Sequence, residues 1–265
     1  MNASSSSNVI STTSHGLREG DFKLPVEDGS IDAYFAAPET SGRLPVVLVV
    51  QEIFGVHEHI KDVCRRFAHA GYLAIAPELY QRHGDASTYT DIPTLISELV
   101  GKVPDEQVMA DLDACLVWAG LHGGNLSKVA VTGFCWGGRI TWMYAAHQPK
   151  VKTGVAWYGK LASGHGPLIK QNPVDVASQL HGPVLGLYGG KDASIPMDTV
   201  QQMRDALSRG NINAQASHIH VYQDAGHAFY ADYRASYLKP VADDAWKRCL
   251  AWATYMAQSR ALAGR

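Results

Sequence analysis

The feature that most constrains the fold is the segment Val129 to Gly138, where an apolar run leads into Gly133-Phe134-Cys135-Trp136-Gly137. An apolar strand, a Gly-x-Cys-x-Gly turn and a following helix form the nucleophile-elbow pattern, with Cys in the Ser position. This turn is so tight that the residues two before and two after the nucleophile must have almost no side chain. The following helix N-terminus favours a thiolate and offers N–H groups to an oxyanion. The segment therefore predicts Cys135 as a nucleophile; the alternative is a buried Cys in an ordinary glycine-rich turn.

The rest of the chain alternates between strand-like and helix-like segments, without an internal repeat or a linker that would divide it. Such alternation predicts an α/β fold with a mainly parallel central sheet and helices on both faces. We expect a polar, flexible tail over residues 1–16 and one α/β domain over residues 17–265. Strands are predicted at 31–37, 44–50, 72–76, 128–132, 151–158, 184–188 and 217–222, and helices at 59–69, 105–121, 136–147, 196–208 and 241–257.

Composition limits the classes of partner. The formal net charge is −2 and no basic stripe is present, so we expect no nucleic-acid partner. Hydrophobic residues make up 46% of the chain, but no apolar run is long enough to span a membrane. Residues 1–16 lack the basic and apolar regions of a secretory signal, which favours a cytoplasmic location.

The four cysteines do not form a disulfide framework in a chain of this length. Cys64, Cys115 and Cys249 each share a helical spacing with apolar neighbours, so they are expected to behave as small buried hydrophobic residues. Cys135 is the exception.

A cysteine nucleophile needs a base, and the base needs a partner that orients it. His227 follows a predicted strand in Gly226-His227-Ala228, where Gly226 is expected to let the chain turn. Asp192 follows another strand in Gly189-Gly190-Lys191-Asp192. The order nucleophile, acid, His is that of α/β-hydrolases. Asp192 could instead cap a turn, and Asp198 or Asp224 could be the acid.

These residues show a resemblance to the dienelactone hydrolase (carboxymethylenebutenolidase) family, which extends from about Gly20 to Met256. The resemblance implies an α/β-hydrolase fold and cleavage of a lactone or ester through Cys135, His227 and Asp192. It rests on Gln51-Glu52-Ile53-Phe54-Gly55, Ala76-Pro77-Glu78-Leu79-Tyr80-Gln81-Arg82, Gly133-Phe134-Cys135-Trp136-Gly137-Gly138, Gly189-Gly190-Lys191-Asp192 and Ala225-Gly226-His227-Ala228-Phe229.

The resemblance also assigns roles to other residues. It implies that Glu52 contacts the resting thiol and helps to generate the thiolate, and that Ile53 and Trp136 supply the N–H donors of an oxyanion hole. Arg82 matches the arginine that binds a substrate carboxylate.

A second family arginine lies four residues after the catalytic His, but here that position is Ala231. Arg234 either takes its place or pairs with Asp232. This departure concerns the substrate and leaves the hydrolase interpretation unaffected.

The remaining candidates are less specific. Phe54 and Tyr158 are expected to line an apolar pocket, although aromatic residues at strand ends are often simply core. The pairs His57/His59 and His218/His220 lack a third spaced ligand, so we interpret them as solvated residues and expect no metal or organic cofactor. Two alternatives stay open: a general small-ester or thioester hydrolase, and a non-catalytic binding or redox-sensing protein.

Overall fold

The central sheet begins with an antiparallel hairpin, in which β1 (Leu17–Val26) pairs with β2 (Gly29–Pro38) along its whole length. The structure, a computed structural model, describes residues 9–164 and 166–262, and the side chains of the last helix as far as residue 254. β2 also pairs antiparallel with β4 (Leu73–Pro77). Parallel pairing connects β4 to the remaining strands, which are β3 (Leu44–Val50), β5 (Gly124–Phe134), β6 (Val151–Trp157), β7 (Val184–Gly189) and β8 (His218–Tyr222).

The strand order of this sheet is β1-β2-β4-β3-β5-β6-β7-β8. The mainly parallel α/β arrangement predicted from the sequence is therefore confirmed. The segment Val46–Val50 of β3 is almost completely buried, as expected for a strand covered on both faces. In parallel sheets, groups at the carboxyl ends of the strands meet at one edge.

Helices connect the strands and pack against them. Helix α4 begins directly after Cys135. The bounds of α4, α3 and β3 are those predicted from the sequence. Within the described part of the chain, no helix is long and apolar enough to cross a bilayer. The helices are α1 (Glu58–His69), α2 (Ile92–Glu98), α3 (Asp105–Leu121), α4 (Trp136–His147), α5 (Pro173–Val176), α6 (Met197–Ser208), α7 (Ile212–Gln215) and α8 (Lys239–Leu262).

Two elements are not evident from the sequence. β1 has a weak apolar pattern, since only Leu17 and Leu24 are buried. Its pairing with β2 is what holds it in the sheet. α2 is seven residues long and contains a proline in its first turn. The sequence predicted Pro196 as the first residue of α6. In the structure Pro196 is the N-cap residue that precedes this helix.

Part of the segment before β1, for which the sequence predicted a polar, flexible tail, forms hydrogen bonds with the folded domain. The amide of Ile10 donates to Asp232 Oδ2 at 2.9 Å, and the amide of Thr12 donates to Asp62 Oδ1 at 2.6 Å. These bonds hold residues 10–12 against α1 and the loop that precedes α8. Residues 1–8 lie outside the described part of the chain.

Arg139 connects the nucleophile helix to two neighbouring segments. Its side chain is almost fully buried, and its guanidinium donates to both carboxylate oxygens of Asp105, at 2.8 and 2.7 Å. It also donates to the carbonyl oxygen of Gln171 at 2.7 Å. Arg139 therefore ties α4 to the start of α3 and to the loop before α5.

Candidate active site

Cys135 occupies the turn between β5 and α4 in a backbone conformation that non-glycine residues rarely adopt, with φ 55° and ψ −115°. A Cβ at Gly133 would lie 2.2 Å from the carbonyl oxygen of Gly137, and a Cβ at Gly137 would lie 2.4 Å from that of Gln51. Both contacts are with backbone, which cannot move aside cheaply. The steric requirement inferred from the sequence is therefore confirmed.

Backbone strain in the described residues is concentrated around this turn. The non-glycine residues with positive φ are Cys135, Tyr158 and Ala228, which follow β5, β6 and His227 respectively. Strained residues of this kind cluster at functional sites. The turn at His227 differs from the prediction, because Gly226 has open space around its Cα and no positive φ, and Ala228 takes the unusual conformation instead.

The structure brings Cys135, His227 and Asp192 into one continuous chain of contacts. His227 Nε2 lies 3.2 Å from Cys135 Sγ, and His227 Nδ1 lies 2.7 Å from Asp192 Oδ2. The other carboxylate oxygen of Asp192 accepts bonds from the amide and hydroxyl of Ser194, at 2.9 and 2.6 Å. All four residues follow the carboxyl ends of parallel strands.

The two alternative acids lie elsewhere. Asp224 forms an exposed ion pair with Lys191 at 2.8 Å, and the carboxylate of Asp198 accepts a bond from the amide of Thr199 at 2.8 Å. Asp192 is therefore the carboxylate that contacts His227.

The charges in this chain stabilise one another. Burial alone would raise the pKa of Asp192, but the hydrogen bond and charge of His227, together with the bonds from Ser194, hold that pKa below its usual range. Burial alone would lower the pKa of His227, but its bonds to Asp192 and Cys135 raise it to about 10. This raised pKa favours an imidazole that carries a proton on both ring nitrogens at neutral pH.

Glu52 is fully buried but does not take the position that the resemblance implied. The partners of its Oε2 atom in the described chain are the Tyr233 hydroxyl, which donates a hydrogen bond, and His57 Nε2 at 3.4 Å; the thiol is not one of them. Burial would raise the pKa of Glu52, but the neighbouring His57, His59 and Tyr233 hold it below its usual range.

The sequence suggested that both histidines beside Glu52 are solvated, but His59 is buried and His57 is only partly exposed. His59 is buried and its Nδ1 lies 2.9 Å from Asp232 Oδ1, while the His57 ring packs against Tyr233. Tyr233 was missed from the sequence because its partner lies 181 residues away and no local motif connects them. Within the described residues, no group of three or more His, Cys, Asp or Glu side chains could hold a metal ion.

A cavity of about 360 Å³ opens onto Cys135, at the lower end of the range typical of small-molecule sites. Ile53 and Trp136, the expected oxyanion donors, both border it, and Trp136 lies in the first turn of α4, where amides lack an intrahelical partner. The lining residues are Ile53, Ile92, Ile96, Cys135, Trp136, Arg139, Tyr158, Lys160, Asp192, Ala193, Ser194, His227 and Arg234.

Two predicted substrate contacts lie outside this lining. Arg82 Nη1 pairs with Asp28 at 2.9 Å, and its Nη2 donates to the buried Asp111, so both ends of its fork are occupied. Phe54 lies beneath the guanidinium of Arg234, at 5.7 Å from the ring centre. Tyr158 and Arg234 line the cavity, and Lys160, which the sequence did not single out, joins them.

The sheet order and the Cys–His–Asp arrangement define an enzyme of the α/β-hydrolase class. The model of the dienelactone hydrolase family matches residues 31–256. The chain belongs to this family, and it is a hydrolase.

Named relatives agree with this assignment. The chain is 54% identical over 247 residues to "Putative carboxymethylenebutenolidase" of Escherichia coli strain K12, covering 93% of this chain and 90% of that protein. It is 34% identical to a protein of the same name from Synechocystis sp., covering 85% of this chain and 92% of that protein. A crystal structure of "Putative Dienelactone Hydrolase" from Klebsiella pneumoniae is 55% identical, with a TM-score of 0.85, covering 90% of this chain and 98% of that one.

The packing around Gly137 leads to a prediction about stability. In Gly137→Ala, the new methyl group meets the carbonyl oxygens of Gln51 and Val50 at 2.4 and 2.5 Å. We expect the free energy of unfolding to fall by about 3 kcal/mol, as in other overpacked sites. Urea denaturation measures the change. Gly20→Ala is the control, because a Cβ there meets no atom within 4 Å; equal losses in both variants would contradict the packing argument.

The pKa of His227 supplies a second prediction. Asp192→Asn removes the carboxylate that raises this pKa, so we expect it to fall from about 10 toward its ordinary value of 6.5, measured by NMR titration of the imidazole C–H signals. Because the folded pKa is raised, protonated His227 stabilises the wild-type fold fully below pH 6.5, and this contribution is lost as the pH rises toward 10. An unchanged titration in Asp192→Asn would show that the contact does not set the charge of His227.

Proposed function

We propose that this enzyme cleaves a small lactone or ester through a covalent thioester on Cys135. The observation that carries the proposal is the contact chain from Asp192 through His227 to Cys135 Sγ, which ends in a cavity bordered by the N-terminus of α4. The nucleophile, base and orienting acid stand within hydrogen-bond reach of one another, which is the arrangement that covalent catalysis requires.

The first step is acylation. The Cys135 thiolate attacks the substrate carbonyl carbon, and the new oxyanion accepts hydrogen bonds from the amides of Ile53 and Trp136. The tetrahedral intermediate then collapses, the bond between the acyl carbon and the ester oxygen breaks, and protonated His227 gives its Nε2 proton to the departing oxygen. In a lactone, this alcohol or enol remains attached to the acyl group.

The second step is deacylation. His227, now neutral, takes a proton from a water molecule, which attacks the thioester carbonyl and forms a second oxyanion in the same place. Collapse breaks the C–S bond and releases the carboxylic acid product and the thiolate. Asp192 keeps the imidazole oriented and stabilises its charged form in both steps. Glu52 supplies a fixed negative charge close to the turn, held in place by Tyr233 and His57.

The name of the relatives, carboxymethylenebutenolidase, suggests a lactone that carries a carboxylate. Since both ends of the Arg82 fork are occupied by aspartates, we assign recognition of this group to Arg234 and Lys160 in the cavity lining. Arg234 lies on the Phe54 ring, which leaves the polar edge of its guanidinium for an anion.

The position of Arg82 also favours a second candidate, a general small-ester hydrolase that works by the same chemistry. In that case Arg234 and Lys160 have no special partner, and neutral esters are cleaved as readily as acidic ones. A cytoplasmic location fits both candidates, because the four cysteines are unpaired, as is usual for thiols in reducing compartments.

Steady-state hydrolysis of a cis-dienelactone and of p-nitrophenyl acetate tests the proposal. We expect Cys135→Ala to reduce kcat for both substrates by about 10⁴-fold or more, because loss of the nucleophile removes the covalent route. Cys64→Ala is the control, since that thiol is buried among apolar residues away from the cavity. Turnover that survives in Cys135→Ala would reject the mechanism, and turnover of the neutral ester alone would favour the second candidate.

Arg234→Gln tests carboxylate recognition. We expect this variant to lower kcat/KM for the acidic lactone relative to the neutral ester by about tenfold, the loss of one charge-assisted contact. Arg209→Gln serves as a control, because Arg209 lies at the C-terminal end of α6 and does not line the cavity. An unchanged ratio in Arg234→Gln would mean that Arg234 does not bind the carboxylate.

A further inference from the structure

The short helix α2 has two apolar faces, of which one is buried in the protein. Leu95 and the capping residue Leu99, four positions apart, are buried in the core. Ile92 and Ile96, also four positions apart, line the cavity at Cys135, and Ile92 is 41% exposed. Residues with this spacing lie on the same side of a helix. The protein therefore covers one apolar face of α2 and leaves the other to the contents of the cavity.

The position of this second face is fixed by the burial of Leu95 and Leu99 and by packing beyond the end of α2. At its start, Asp91 accepts a hydrogen bond from the amide of Thr94 at 2.9 Å. Beyond its end, Gly101 packs so closely on Gly166 that a Cβ at Gly166 would lie 2.6 Å from the Gly101 Cα. Shortly afterwards, α3 begins at Asp105, which is paired with Arg139 of the nucleophile helix. Ile92 and Ile96 are therefore held beside the cavity by the fold.

Apolar side chains that face water gain stability when a ligand covers them. Single exposed isoleucines are common on protein surfaces, but here two of them border the same cavity as the nucleophile. In the thioester proposed above, the acyl part stays attached to Cys135 while the alcohol of a simple ester leaves. The acyl part is thus the group that the cavity must hold through both steps.

We propose that Ile92 and Ile96 determine specificity by binding a short apolar chain or ring on the acyl part of the substrate. This inference rests on the proposed function and narrows its substrate class to esters and lactones whose acyl group has such a substituent. The cavity of about 360 Å³ restricts the substituent to a few carbon atoms, since it lies at the lower end of small-molecule pockets.

The first experiment compares kcat/KM for p-nitrophenyl butyrate and p-nitrophenyl acetate. The wild type is expected to favour butyrate by at least tenfold, since butyrate has two more methylenes and each methylene in an apolar pocket contributes about tenfold or more. In the double variant Ile92→Thr/Ile96→Thr, which keeps the branch at Cβ but replaces the ethyl group by a hydroxyl, the ratio is expected to fall by at least fivefold. Ile212→Thr, at an isoleucine that is 80% exposed and outside the cavity, is expected to keep the wild-type ratio.

A wild-type enzyme without preference for butyrate, or a double variant with the wild-type ratio, would overturn the proposal. Turnover that persists in Cys135→Ala would instead reject the proposed function. The binding role of Ile92 and Ile96 is then tested by a reaction of Cys135 that does not require catalytic turnover.

That second reaction is alkylation of Cys135 by iodoacetamide and by N-butyl iodoacetamide, followed by mass spectrometry. Cys135 is suited to it because Cys64, Cys115 and Cys249 are buried. The butyl reagent is expected to react faster with the wild type than with the Ile92→Thr/Ile96→Thr variant by about fivefold, relative to iodoacetamide. Equal relative rates in the two proteins would overturn the proposal, whether or not the enzyme hydrolyses esters.

Discussion

The site depends on one steric constraint, the close approach of three backbone segments around Cys135. The carbonyl oxygens of Gln51 and Gly137 occupy the space where side chains at residues 137 and 133 would project. This packing holds Cys135 at positive φ and directs its sulfur toward His227 Nε2, 3.2 Å away. The strained conformation is stabilised by the surrounding sheet and by α4, because the same contacts that forbid side chains also fix the backbone.

Charge organises the rest of the site around this turn. Asp192 contacts His227 next to the sulfur, whereas Glu52 Oε2 contacts Tyr233 and His57. Asp232, which precedes Tyr233 in the chain, contacts His59 and accepts a hydrogen bond from the amide of Ile10. Asp192 and Glu52 therefore have separate partners, and each partner sets the position of its carboxylate.

The sequence predicted the parts of the site that local sterics and strand order determine. The Gly-x-Cys-x-Gly turn, Asp192 and His227 all follow strands whose ends meet at one sheet edge, so their proximity could be inferred. Contacts between long side chains could not: Arg82 reaches Asp111 instead of the cavity, and Tyr233 reaches Glu52. No local pattern records such choices, because each depends on which distant segment packs nearby.

The central claim, that Cys135 carries the acyl group, is tested most directly by trapping that intermediate. His227→Ala, which lacks the base for deacylation, is mixed with p-nitrophenyl acetate, quenched with acid and analysed by peptide mass spectrometry. We expect one acetyl group on the peptide that contains Cys135, and none in Cys135→Ala/His227→Ala. An acetyl group on another residue would contradict it, as would release of p-nitrophenol by His227→Ala with no acetyl group on Cys135.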